Sequence, residues 1–138
     1  MGDFLFAYGE YHTGKLHPAS LEILTPLREI ADKLQKRLIL FMLVDDSERL
    51  KEVRELEKAL CDEVWYLENR EFKDFKDDLF GKVIVNLIKE TNPYGVFFPA
   101  TLQGMALAPR VAGELEVGLC AHVNSFEIEG ETLYMLRP

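Results

Sequence analysis

The segment Gly9-Glu10-Tyr11-His12-Thr13-Gly14-Lys15 has the glycine and lysine spacing of a phosphate-binding loop and follows an apolar stretch of strand length. In such a loop, backbone N–H groups at a helix start surround the phosphate, and a Ser or Thr after the lysine holds magnesium. Here Leu16 follows Lys15 and Pro18 delays the helix, so both requirements fail. His12, His17 and His122 lack metal-ligand spacing, and Cys120 with His122 on one strand face would need two further ligands, so no metal is expected. Ser20, Ser47 and Ser125 lie outside any Gly-x-Ser-x-Gly elbow. The carboxylates fall mostly on solvent-facing helix positions, which assigns none of them to general acid–base work. No catalytic residue is identified.

The elements that would position these residues follow from the apolar pattern. Runs of strand length alternate with longer segments of helical period, which specifies a parallel sheet covered by helices on both faces. Phe4–Tyr8 is read as the first strand and 9–17 as a loop, and Pro18 suits the first turn of a helix. Leu21, Leu24, Leu27, Ala31 and Leu34 form the apolar face of that helix, with a kink or break expected near Thr25 because of Pro26. Leu38–Val44 is a continuous apolar run, as in a strand buried on both faces. Leu50, Val53, Leu56 and Leu60 repeat at helical spacing in the second crossover, and Glu63–Leu67 is a third strand.

Helices are further expected over Phe75–Glu90 and Leu102–Glu114, flanking a strand at Gly95–Pro99; Pro109 makes the second of them imperfect. Cys120–Glu129 and Glu131–Arg137 read as a hairpin around Gly130, added at the end of the sheet. The predicted fold is a three-layer α/β/α domain with a mostly parallel, Rossmann-like sheet of about five strands plus this C-terminal antiparallel hairpin.

Ligands of open parallel sheets sit beyond the carboxyl ends of the strands, where the strand order reverses. That singles out Gly9 and Glu10 after the first strand, Asp45 after the second, and the loop carrying Thr101 and Gly104 after the fourth. A helix start at Thr101 could receive an anion or simply be capped by the threonine hydroxyl.

With 138 residues the chain is of one-domain size, 1–138, and a formal net charge of −8 with no basic run argues against nucleic acid as a partner. Leu38–Val44, the longest apolar stretch, is too short to cross a bilayer, so no membrane role is expected. An N-terminus without a basic secretory region and only two cysteines fit a cytoplasmic protein.

The stretch from Ala100 to Ala112, Ala-Thr-Leu-Gln-Gly-Met-Ala-Leu-Ala-Pro-Arg-Val-Ala, followed by Gly118-Leu119-Cys120-Ala121, resembles the A-T-x-x-G-R-D-L-A-P-R and G-L-T-A-D signatures of electron transfer flavoprotein alpha subunits. Gly14-Lys15-Leu16-His17-Pro18-Ala19-Ser20-Leu21-Glu22 is similar to a third motif of that family, which accounts for the false phosphate loop. Gly104 and Arg110 match, whereas Met105-Ala106 replaces an Arg-Asp pair, Cys120 a Thr and His122 an Asp. The resemblance implies an N-terminal domain with a fold like that of adenine-nucleotide alpha-hydrolases. It further implies a non-catalytic scaffold that associates with a beta subunit and a flavin-bearing domain. In that family FAD is held by a second domain, expected to be absent here, so no cofactor is assigned to this chain. A stand-alone AMP- or ATP-binding domain is the alternative, and an interface left bare would favour a homodimer.

Overall fold

Phe4–Tyr8 (β1) contains no residue that prefers water and is buried along its whole length. In the computed structural model, which describes residues 2–50, 60–121, 123 and 125–136, β1 lies inside a four-stranded parallel sheet. Its neighbours are Arg37–Val44 (β4) on one side and Gly95–Phe97 (β6) on the other, and Glu63–Glu68 (β5) pairs with the far edge of β4. Among the described residues the order is β5-β4-β1-β6, four strands where about five were expected. The apolar runs read as double-faced strands have that role: Leu5, Ala7, Leu38, Leu40, Met42 and Val44 face one layer, and Phe4, Phe6, Tyr8, Ile39, Phe41 and Leu43 the other.

The first face is covered by Pro18–Glu22 (α1) and Leu24–Leu34 (α2), whose Leu24, Leu27, Ile30, Ala31 and Leu34 complete the core there. The break expected near Thr25 falls at Ile23. Pro26 is thereby the third residue of α2, in the turn whose N–H groups have no intrahelical partner, so its missing hydrogen costs nothing. The second crossover falls largely on 51–59, outside the described residues; before it, Ser47–Leu50 forms one turn of 3-10 helix.

The second face is covered by Asp77–Thr91 (α3) and Leu102–Leu115 (α4), through Phe80, Ile84, Val85, Leu107 and Val111. Asp77 and Asp78 complement the dipole at the start of α3, and Asn92 ends it in the left-handed conformation. Pro109 does not interrupt α4, contrary to the expectation of an imperfect helix. It sits on the exposed side of the helix, where a carbonyl that lacks an N–H donor can be met by water.

The C-terminal hairpin is present as Ser125–Glu129 (β7) and Thr132–Leu136 (β8), turning at Gly130 with a positive φ of 63°. It forms a separate two-stranded sheet and does not extend the parallel one. Phe126, Ile128 and Leu133 pack it onto the α2 layer, and Phe126 meets Phe97 edge-on at 6.2 Å. A period of two identifies a strand but not the sheet it joins.

Asp62 ties β4 to α2: its Oδ2 accepts from the Leu38 N–H at 2.7 Å and from Arg28 Nη2 at 3.1 Å. Partial desolvation opposes ionisation, but the Leu38 N–H and the Arg28 guanidinium outweigh it and hold the carboxyl below the usual carboxylate range. A folded-state value below the unfolded one adds stability above the ordinary carboxylate range, lost as pH falls through the folded value. Asp62→Asn is therefore expected to destabilise the protein in urea at pH 7. The difference from the parent should vanish near pH 2; a penalty equal at both pH values would assign the effect to packing.

Candidate functional site

The order of the sheet reverses between β1 and β6, because the chain builds outward through β4 and β5 and then returns to the opposite side of β1. The crevice beyond the carboxyl ends of β1 and β6 is where ligands of such sheets bind. Gly9, Glu10, Thr101 and Gly104, all singled out from the sequence, are brought together there.

After β1 the backbone continues in register, with the Gly9 N–H donating to Phe41 O at 2.8 Å. A Cβ on Gly9 would lie 2.9 Å from Leu16 Cδ1 and 3.3 Å from Leu40 Cδ1, which is why the smallest residue stands there. The chain then makes a miniature hairpin, Tyr11–His12 (β2) against Lys15–Leu16 (β3). Its two turn residues, Thr13 and Gly14, have φ of 44° and 88°. Positive φ at both central positions marks the turn that matches the twist of paired strands. The glycine and lysine of the apparent phosphate loop are thus hairpin residues, and no helix begins at Lys15.

Glu10 is 4% exposed, the least expected burial in the chain. Its N–H donates to Ser20 Oγ at 2.9 Å and its carbonyl accepts from the His17 N–H at 2.8 Å, which fixes the backbone against α1. Its side chain reaches the start of α4, where Oε1 accepts from the Gln103 N–H at 3.3 Å. Thr101 caps the same helix, accepting from the Gly104 N–H at 3.0 Å. Gly104 is required by proximity: a Cβ there would lie 1.9 Å from the Pro99 carbonyl oxygen. The first turn of α4 therefore carries a resident anion, placed where the helix dipole favours negative charge.

Tyr8, which the sequence reading missed, and Gln103, which it placed only as part of the Thr101 loop, complete the cluster. The Tyr8 hydroxyl donates to Gln103 Oε1 at 2.9 Å, and Gln103 Nε2 stands 3.3 Å from His12 Nε2. Burial, with the Glu10 charge adding to it, pushes the Tyr8 phenol far above its ordinary range, so it stays a neutral donor. His12 Nε2 is also 3.6 Å from Glu10 Oε2. Tyr8 reads as a core aromatic and Gln103 as an ordinary helix residue; neither carries a local signal of its role.

Asp45 and Arg110 lie outside this cluster. Asp45 follows β4, and its Oδ1 is buried without a hydrogen-bond partner among the described residues. Arg110 packs its stem over Gly81 of α3, where a Cβ would come within 2.6 Å of Arg110 Cδ, and its guanidinium lies 3.5 Å from Asp77 and 4.0 Å from Glu114. It clamps α4 to α3. Among the described residues no group of three or more His, Cys, Asp or Glu side chains could hold a metal ion, and no helix is long and apolar enough to cross a membrane.

The cluster supplies acceptors where a nucleotide phosphate would need free N–H groups, so the start of α4 does not fit a phosphate. Removing the acceptor should be costly. Glu10→Ala is expected to lower stability by about 1–3 kcal/mol, because it leaves the Gln103 N–H buried without a partner. Glu10→Gln, which keeps an acceptor, should lose less; equal losses in urea denaturation would show that this hydrogen bond contributes nothing.

A family model described as the electron transfer flavoprotein domain matches residues 6–138. Protein FixB of Clostridium saccharobutylicum is 35% identical over 127 residues, which cover 92% of this chain and 37% of that protein. The electron transfer flavoprotein subunit alpha of Clostridium acetobutylicum is 32% identical over 132 residues, 96% of this chain and 39% of that protein. The LctC subunit of the lactate dehydrogenase (NAD(+),ferredoxin) of Acetobacterium woodii is 28% identical over 132 residues, 95% of this chain and 31% of that subunit. The chain spans about two-fifths or less of the length of these curated relatives.

Proposed function

Since this chain belongs to the electron transfer flavoprotein domain family, we propose that it is a non-catalytic module of an electron transfer flavoprotein alpha subunit. Its role is to scaffold association with a beta subunit and a flavin-bearing domain. FAD belongs to that assembly and not to the described crevice. The observation that carries the reading is the Glu10 carboxylate on the first turn of α4, which accepts one of the N–H groups that a phosphate at a helix start would need and so favours a crevice that is part of the scaffold. Surface chemistry supports it: Leu102 and Met105, 88% and 57% exposed on that same turn, are apolar side chains that an isolated domain gains nothing by displaying. Gly9, Glu10, Thr101 and Gly104 shape this end of the domain, Asp45 stands beside it, and Arg110 holds the helix that carries it.

The test is the mass and visible absorbance of the purified chain, alone and with a beta subunit, flavin and a flavin-bearing alpha-subunit domain. A larger yellow complex is the expected result. A colourless chain that stays alone in gel filtration while giving binding heat with millimolar AMP or ATP would replace this reading with that of a nucleotide-binding domain.

A further inference from the structure

The contacts of His12 are incompatible with one another in a single protonation state. Because the Tyr8 hydroxyl donates to Gln103 Oε1, the Gln103 amide presents its NH2 group to His12 Nε2. That nitrogen must then be an acceptor, which a neutral imidazole offers on one of its two nitrogens. A protonated ring carries hydrogen on both. The contact at 3.3 Å would then set donor against donor, while the same Nε2–H would point to Glu10 Oε2, 3.6 Å away.

We propose that His12 is a proton-operated switch on the first turn of α4: neutral, it accepts from Gln103; protonated, it releases Gln103 and pairs with Glu10. The side chain is half exposed, so protons reach it directly. An ordinary imidazole changes charge between about pH 8 and 5, a range over which the Tyr8 phenol, raised by burial, stays neutral. The groups facing it are the Glu10 carboxylate from the end of β1, the Gln103 amide from α4, and Lys15, its cross-strand partner on β3. His17 is engaged elsewhere, with Nδ1 accepting from the Ala19 N–H at 3.1 Å. Among the described residues neither Asp45 nor Asp46 forms an ion pair with His12. Gln103 is the second residue of α4 and adjoins the exposed Leu102, so the switch acts on the apolar turn that the domain presents.

Amide and imidazole NMR of the isotope-labelled full chain from pH 8 to 5 tests this. The Gln103 side-chain NH2 signals are expected to shift with the same midpoint as the His12 ring. That shift should be lost in His12→Gln and kept in His17→Gln, which removes the other described histidine. Gln103 signals that stay still while the His12 ring titrates would overturn the proposal, as would a shift that persists unchanged in His12→Gln.

Discussion

Gly104→Ala is expected to lower the free energy of unfolding by about 3 kcal/mol, the upper end of what overpacking costs. The added Cβ would stand 1.9 Å from the Pro99 carbonyl oxygen and 3.2 Å from Thr101 Oγ1. The nearest obstacle is backbone at the end of β6, not the flexible end of a side chain, so relief requires the whole first turn of α4 to move off the sheet. That displacement also pulls the Gly104 N–H from its threonine cap and the Gln103 N–H from Glu10. Gly113→Ala, in the same helix with nothing within 4 Å of its Cβ, is the control. There alanine should stabilise by about 0.5–1 kcal/mol, since it orders more readily in a helix than glycine. Urea midpoints moving in the same direction for the two variants would refute the close approach at Gly104.

Phe6→Ala should cost about 3–5 kcal/mol, the range for removing a large aromatic from a closed core. Phe6 is fully buried at the sheet centre, with ring centroids 4.9 Å from Phe4, 4.8 Å from Phe41 and 5.3 Å from Trp65. Rigid sheet neighbours on both sides leave little freedom to collapse into the space. Trp65 is the chain's single tryptophan, so its emission in the folded variant reports the altered packing directly. A loss below about 1.5 kcal/mol with unchanged emission would mean that the neighbouring rings close the gap.

Most of the layer structure was legible because strands buried on both faces cannot hide their composition: Phe4–Tyr8 and Leu38–Val44 have no other reading. The helix break was legible to within two residues, since a proline's missing N–H permits only a few positions near a helix start. The candidate site was legible as a place, because the carboxyl ends of strands beside an order reversal follow from topology. Its chemistry was not. Glu10 looks like any loop carboxylate, and its burial depends on Gln103, 93 residues away, a partner that no local pattern announces. The miniature hairpin β2–β3 was similarly hidden, and the hairpin β7–β8 was legible while its separation from the parallel sheet was not, because alternation does not name a strand's neighbour.

The reversal of strand order also has a consequence in time. During synthesis β1 emerges first, and β4 follows soon enough to cover one of its edges. The other edge waits for β6, and Glu10 waits for Gln103, 93 residues later; at ordinary translation rates this is roughly 5–20 s. For that interval a strand buried along its whole length in the finished domain has one open side, and a carboxylate destined for burial remains hydrated at its tip. The nascent chain is thus most exposed to mispairing before residue 95, and its last long-range hydrogen bonds at this crevice can form only once α4 has left the ribosome.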